Sequence, residues 1–300
     1  GVAVLKKLNE FVDTGKIKFL EKEKEDPVNI FTQVHGIGIK KAQKLVEDGI
    51  KTIEELREKQ DKLNDIQKKG LKYYEDLQKR IPREEIDSFK KLFETEFKNL
   101  KYPNAKFEIV GSYRRGVSNS GDIDVIISDK ENDNSIFVNF IKVLLEKNVI
   151  TELLSNGKTK SMAIGKLPGD KSYRRIDFLY SSPKEYPFAI LYFTGSKAFN
   201  TTMRAHALKN SLSLNEHGLY KMEGKVKGQL LDLDLKSEKD IFDYLKLKYV
   251  EPNNRKDYTS IKPYENKNEN KNNLNNKANN KGNKEGNKEG NKEGNKEGNK

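Results

Sequence analysis

Cysteine is absent from the chain, which excludes disulfides, thiolate metal sites and cysteine nucleophiles and fits a reducing compartment. Long apolar runs are missing too. Nothing approaches the roughly 18 consecutive apolar residues that a membrane-spanning helix needs, and the N-terminus shows no secretory signal pattern. The expectation is a protein that neither enters a membrane nor is secreted. The first residue is Gly rather than Met, which reads as a processed form or a fragment.

What the chain has in quantity is charge. Lys and Arg total 58 against 46 Asp and Glu, a formal net charge of +12 over 300 residues. Charge of this size speaks of partners rather than of fold. A polyphosphate is the natural partner, because each neutralised phosphate releases counterions. From about residue 265 the sequence is almost wholly Asn, Lys, Glu and Gly, ending in NKEG repeats. Such a segment buries too little apolar surface to offset its ordering entropy, so 264–300 is expected to be a disordered tail. The repeats and their approach hold nine Lys against six Glu, which leaves +9 on the body.

The body is long enough for two or three compact units. Up to about residue 82, Leu, Ile, Phe and Tyr recur at helical spacing between charged faces. Beyond that, 106–110, 122–127 and 175–180 carry the β-branched and aromatic signature of strands. An amphipathic helix is predicted over 135–147, another over 196–210, and short strands near 219–222. The fold class expected is α+β, with a helical module leading.

The segment GSYRRGVSNSGDIDVII over 111–127 carries the most chemistry. Asp122 and Asp124 alternate with Ile123 and Val125, and successive strand side chains point to opposite faces. The two carboxylates therefore share a face while the apolar residues enter the core. Like charges so close are costly unless a cation sits between them, and oxygen ligands at this spacing suit Mg²⁺. Asp177, in RRIDFL over 174–179, is flanked by the same kind of apolar strand residues. Three carboxylates on neighbouring strands can hold two metals, one for an attacking oxygen and one for a leaving triphosphate. A bare Asp-x-Asp more often decorates a solvated strand. Here Gly111, Ser112 and Arg115 lie just upstream and offer backbone N–H groups, a hydroxyl and a guanidinium for phosphate.

This segment resembles the nucleotidyltransferase signature in the form carried by the beta-type family X DNA polymerases. The resemblance runs from about residue 9 to 263. Besides 111–127 it rests on RIPREE at 80–85, RRID at 174–177, YFTGS at 192–196 and MRAH at 203–206. It implies a remnant of an N-terminal lyase domain at 1–21, a helix-hairpin-helix DNA-binding subdomain at 22–82 and a nucleotidyltransferase palm with a mixed sheet at 83–183. A small α/β subdomain for the nascent base pair is implied at 184–263.

Carried across residue by residue, the resemblance makes Asp122, Asp124 and Asp177 the ligands of two Mg²⁺ ions, with Mn²⁺ able to substitute. Asp177 would assist deprotonation of the primer 3′-hydroxyl. Ser112, Arg115, Ser120 and Gly121 would hold the incoming triphosphate, while Tyr192, Phe193 and Gly195 would crowd the sugar 2′ position. Asn200 and Arg204, one helical turn apart, would read the nascent pair and the template. Lys160 and Arg175 match further DNA-binding positions.

In VHGIGIKKA at 34–42 the two glycines permit a tight turn and expose N–H groups at a helix start. The resemblance makes this a helix-hairpin-helix turn in which Gly36, Gly38, Lys40 and Lys41 meet a DNA backbone. Carbonyls of Thr32, Val34 and Ile37 would hold K⁺ or Na⁺ there. His35 reads as a turn residue and not a metal ligand.

The departures concern both ends of the resemblance. Lys7 aligns with a Schiff-base lysine of the lyase domain, and a lysine nucleophile needs a depressed pKa. Without surrounding helices Lys7 is expected to stay solvated, so no efficient lyase activity is expected and gap binding through a 5′-phosphate should weaken. Leu179 stands where the beta enzyme has an arginine, and Lys197 where it has an acidic residue; Lys197 would add attraction for an anionic nucleotide.

The expected activity is template-directed, short-gap DNA synthesis in base excision repair. Gapped or primed duplex DNA and dNTP would be the partners of a monomer in the nucleus or the mitochondrion. Template-independent nucleotide addition, or a DNA-binding scaffold whose catalysis has lapsed, are the alternatives.

Overall fold

The computed structural model describes residues 1–264; the expected tail lies outside them apart from its first residue. Two helices, Val2–Thr14 and Lys18–Glu25, lead the chain, and neither contains a buried residue. Short helices follow at Pro27–Thr32, Ile39–Glu47, Ile53–Glu58, Asp65–Lys72 and Tyr74–Gln78. They close over a small core that includes Phe31, Val34, Leu45, Leu56 and Leu71. Caps fix their starts: Asn64 and Gln67 form a reciprocal capping box on Asp65–Lys72, and Thr52 caps Ile53–Glu58.

The helical expectation to residue 82 needs one correction. Ile81–Pro82 is a short strand paired antiparallel with Asn119–Ser120. Pro82 supplies no N–H, which such an edge pairing tolerates.

The central sheet has five strands in the order Ala105–Ile109, Ile123–Asp129, Arg174–Tyr180, Lys160–Gly165, Ile150–Asn156. It is mixed. Ile123–Asp129 and Arg174–Tyr180 run parallel, and every other neighbouring pair is antiparallel. Helices Arg83–Asn99 and Ser135–Glu146 cover one face. Ile86, Phe89, Phe93 and Phe97, three or four residues apart, form the buried stripe of the first. These side chains meet Ile123, Val125, Ile127, Ile176 and Phe178 in one core. On the opposite face Ile126 packs with Val110, Ala189 and Ile190, which brings in helix Tyr186–Thr194. The strand bearing Asp124 is therefore held from both sides.

Beyond the sheet, helix Lys197–Lys209 packs with three antiparallel strands, Leu212–Asn215, Gly218–Glu223 and Val226–Leu230, and with helix Glu238–Tyr244. A buried ionic cluster ties this part to the sheet. Arg114 donates to both oxygens of Glu238 (3.1 and 2.7 Å), and fully buried Arg255 donates to Glu238 Oε1 at 2.5 Å. Two guanidiniums thus neutralise one buried carboxylate, which accepts three hydrogen bonds from them.

Candidate active site

Asp124 and Asp177 are register partners on the two parallel strands. Equal depth along neighbouring strands puts their side chains side by side on one face, which the alternation Ile123/Val125 and Ile176/Phe178 into the core enforces. Asp122, just ahead of the first strand, completes the group. Ligand oxygens of the three all lie within 4.8 Å of one another. The cluster's donors are hard carboxylate oxygens, the set that suits Mg²⁺.

The electrostatics of the trio reflect that crowding. Burial, and then the charges of Asp122 and Asp177, push the Asp124 carboxyl up to about 7. Burial likewise raises Asp177, against the opposing pull of Arg175. Asp177 Oδ1 is buried and takes no hydrogen bond. Arg175 is the counterion: Nη2 donates to Asp122, and Nε lies 3.5 Å from Asp177 Oδ1. A site that gathers three carboxylates around one guanidinium fits further positive charge, so the residues fit divalent cations.

Gly111 explains how close the loop after strand Ala105–Ile109 comes to the trio. Its φ is +61°, a left-handed conformation. A methyl group there would fall 2.2 Å from Asp124 Oδ2. The turn Gly111–Arg114 then aims Ser112 and Arg115 along the cleft. Ser112 Oγ donates to Ser120 Oγ at 2.7 Å, and Arg115 Nη1 donates to the Thr194 carbonyl at 2.6 Å. Burial lowers the Arg115 pKa from its ordinary value.

A cleft of about 730 Å³ opens beside the trio; Ser112, Arg115, Gly121, Asp122 and Asp124 line it on the sheet side, and Asp177 does not reach its lining. Tyr192, Phe193, Gly195, Asn200 and Arg204 line the other side. Asn200 Nδ2 donates to the Tyr192 carbonyl at 2.7 Å, and the Arg204 guanidinium sits 5.4 Å from the Tyr192 ring centre. Asn200 and Arg204 share a helix face, as their spacing predicts. Ser120 is buried beneath Ser112. Lys160 and Leu179 face each other on adjacent strands, and Leu179 packs with Ile126 and Ala189.

A turn at 33–38 joins helices Pro27–Thr32 and Ile39–Glu47, within the segment expected to form a hairpin turn. It is braced by the Gln67 side chain, which donates to the Gly36 carbonyl at 3.0 Å, and by Gln78, which donates to the Gln33 carbonyl. Gly70 lets the turn approach: a methyl group there would meet the His35 carbonyl at 2.3 Å. Thr32, Val34, Gly36, Ile37 and Gly38 line a second cleft of about 510 Å³ that reaches Gly121 and Arg175. The Val34 carbonyl takes the Ile37 N–H. Lys40 is exposed, whereas Lys41 donates to the Lys62 carbonyl. His35 is half-buried in that turn, and burial, then Arg175, lowers its pKa. Lys7 is exposed, with its ammonium 3.7 Å over the Phe19 ring.

Three family models match the chain in succession. They are the fingers domain of DNA polymerase lambda over 29–78, the DNA polymerase beta palm over 80–183 and the DNA polymerase beta thumb over 189–256. This chain belongs to the family X DNA polymerases. A DNA polymerase lambda of Arabidopsis thaliana is 31% identical over 276 residues, covering 85% of this chain and 52% of the relative. One of Rattus norvegicus is 32% identical over 270 residues, covering 85% and 47%. The chain thus spans about half the length of the curated relatives it matches. The family X palm model begins at residue 80, three residues ahead of the boundary expected from sequence.

That earlier start takes in a residue missing from the sequence-derived site. Arg80 lines the cleft, and its guanidinium donates to the Asn119 side chain (2.8 Å) and carbonyl (2.9 Å). RIPREE was recognisable as a motif without its role being legible. Glu85 of the same motif takes two bonds from Arg174 at 2.6 and 2.8 Å, which anchors the strand carrying Arg175 and Asp177. Lys197 also lines the cleft, as does Thr201.

Proposed function

We propose that this chain is a DNA-directed DNA polymerase that adds deoxynucleotides to a primer 3′-hydroxyl across short gaps in base excision repair. The observation that carries the reading is the convergence of Asp122, Asp124 and Asp177, the first two of which line a cleft together with Ser112 and Arg115. The preferred ions are two Mg²⁺, which when bound would polarise the reacting oxygens and neutralise triphosphate charge.

The chain's own groups do the rest. Asp122, Asp124 and Asp177 supply the ligands, and Asp177 is the group set to take the 3′-hydroxyl proton. Ser112, Arg115, Ser120 and Gly121 hold the triphosphate, and Arg80 joins them. Tyr192, Phe193 and Gly195 select deoxyribose, while Asn200 and Arg204 read the nascent pair. Transfer of this kind rests on positioning and charge stabilisation rather than covalent help. We assign 22–82 to DNA binding through Gly36, Gly38, Lys40 and Lys41, with K⁺ or Na⁺ on the carbonyls of Thr32, Val34 and Ile37. Residues 83–183 then carry the chemistry, and 184–263 the nascent pair. Lys160 and Arg175 contact DNA, and Arg175 must release Asp122 when a cation enters. The chain acts as a monomer in the nucleus.

Extension of a one-nucleotide gapped duplex with Mg²⁺ tests this. Templated incorporation by the wild type is expected, with Asp177→Ala abolishing turnover while retaining gapped-DNA affinity. Equal incorporation without a template strand would instead favour template-independent transfer, and DNA binding without incorporation a lapsed scaffold.

A further inference from the structure

Strand Ala105–Ile109 is an outer strand of the five-stranded sheet, and among the described residues no strand pairs with its free side. Which backbone groups face outward follows from the ladder. Val110 N–H donates to the Asp124 carbonyl and Lys130 N–H to the Asn104 carbonyl, with the antiparallel register running 105↔129 to 109↔125. Directly opposed residues in such a pair exchange both bonds or neither. The even-numbered residues therefore bond inward, and Phe107 and Ile109 turn N–H and C=O away from the sheet. Exposed edges of this kind template the addition of another strand, and natural proteins usually blunt them.

This edge borders a groove of about 900 Å³ between the strand and helix Arg83–Asn99. Phe97, Tyr102 and Phe107 give it an apolar floor, and Phe107 is only half-buried. Lys98 and Lys101 stand exposed along the groove, whereas Lys106, next to Phe107 on the strand, points to the other face with its ammonium 3.6 Å over the Tyr186 ring. Both acids lining it are already engaged, Glu94 by Lys90 at 3.8 Å and Glu108 by Arg114 at 2.8 Å. Lys98 and Lys101 have no carboxylate partner among the described residues, and Lys130 extends the positive charge beside Lys106.

We propose that this groove docks an extended acidic peptide segment of a partner protein, added as a further strand against Phe107. Strand addition takes its affinity from main-chain hydrogen bonds and its specificity from alternate side chains. Here apolar residues of the peptide would rest on Phe97 and Phe107, the acidic ones between them would turn to Lys106 and Lys130 on the other face, and Lys98 and Lys101 would add positive charge along the groove. A nucleic acid would satisfy the lysines but has no use for an open β-ladder edge, which is why a peptide is favoured.

The test uses the full chain and a capped, fluorescein-labelled peptide of alternating Glu and Val. Anisotropy should show saturable binding, weakened about tenfold or more by K98E/K101E, with one-nucleotide gap filling unchanged in that variant. Amide exchange resolved at Phe107 should slow about tenfold or more when the peptide binds, and a Lys–Val peptide should do nothing. The proposal is overturned if the Glu–Val peptide does not bind, or binds without slowing exchange at Phe107. It is equally overturned if a single-stranded oligonucleotide of similar length displaces the peptide at matched concentration. Protection of Phe107 by self-association in the absence of peptide would overturn it as well.

Discussion

Replacing Gly111 with Ala puts a methyl group 2.2 Å from Asp124 Oδ2, where ordinary contact begins near 3.4 Å. Asp124 or the Gly111 backbone must therefore yield by more than about 1 Å, and a displacement of that size at reacting groups costs about a hundredfold in rate. The left-handed φ of +61° adds its own strain, about 1–2 kcal/mol of stability for a residue with a Cβ. Gly116 separates the two effects. It too has a positive φ, +76°, but a methyl group there meets nothing closer than Asn253 Cβ at 3.9 Å. Single-nucleotide gap filling and denaturant unfolding would be measured for both variants. Both should lose about 1–2 kcal/mol of stability, and only Gly111→Ala should lose about two orders of magnitude in kcat. If Gly111→Ala keeps a kcat within about threefold of wild type, or Gly116→Ala falls as far, the close approach of the loop to Asp124 is not what the chemistry needs.

Three other perturbations separate scaffold, DNA contact and nucleotide contact. Glu238→Ala strands two buried guanidiniums and should cost about 3–5 kcal/mol in urea unfolding. Burial alone would raise the Glu238 carboxyl, but Arg114 and Arg255 hold it below its ordinary value of 4.5. Its stabilisation is thus complete above that value and fades as pH falls through the depressed pKa, an acid limb that Glu238→Gln should flatten. Gly70→Ala drives a methyl group against the His35 carbonyl; duplex-DNA affinity should drop about tenfold, about 1.4 kcal/mol, with kcat at saturating DNA nearly unchanged. Ser112→Ala removes a hydroxyl bonded to Ser120 and should raise the dNTP KM about fivefold, near 1 kcal/mol; an unchanged KM would remove Ser112 from the triphosphate contact.

What could be read beforehand was whatever repeats with a strand or helix period. Alternation of Asp122 and Asp124 with Ile123 and Val125 gave a strand and a shared carboxylate face, and the strand is observed at Ile123–Asp129. Helices expected over 135–147 and 196–210 appear at Ser135–Glu146 and Lys197–Lys209. Two sheet strands, Ile150–Asn156 and Lys160–Gly165, gave no such signal, because register irregularities and interleaved polar residues blur the alternation of ITELLSN. Long-range chemistry was invisible for a different reason. Arg114 meets Glu238 across 124 positions, and no local pattern encodes that pairing. Arg175 illustrates the same limit: its family resemblance pointed to DNA, while in the folded chain it donates to Asp122.

The most direct measurement counts cations. With the metal-depleted chain, gapped DNA and a non-hydrolysable dNTP, electron paramagnetic resonance of Mn²⁺ should register about two bound ions per chain. Asp124→Asn and Asp177→Asn should each release at least one. Undiminished Mn²⁺ binding in both variants would contradict the assignment of the trio as the metal site.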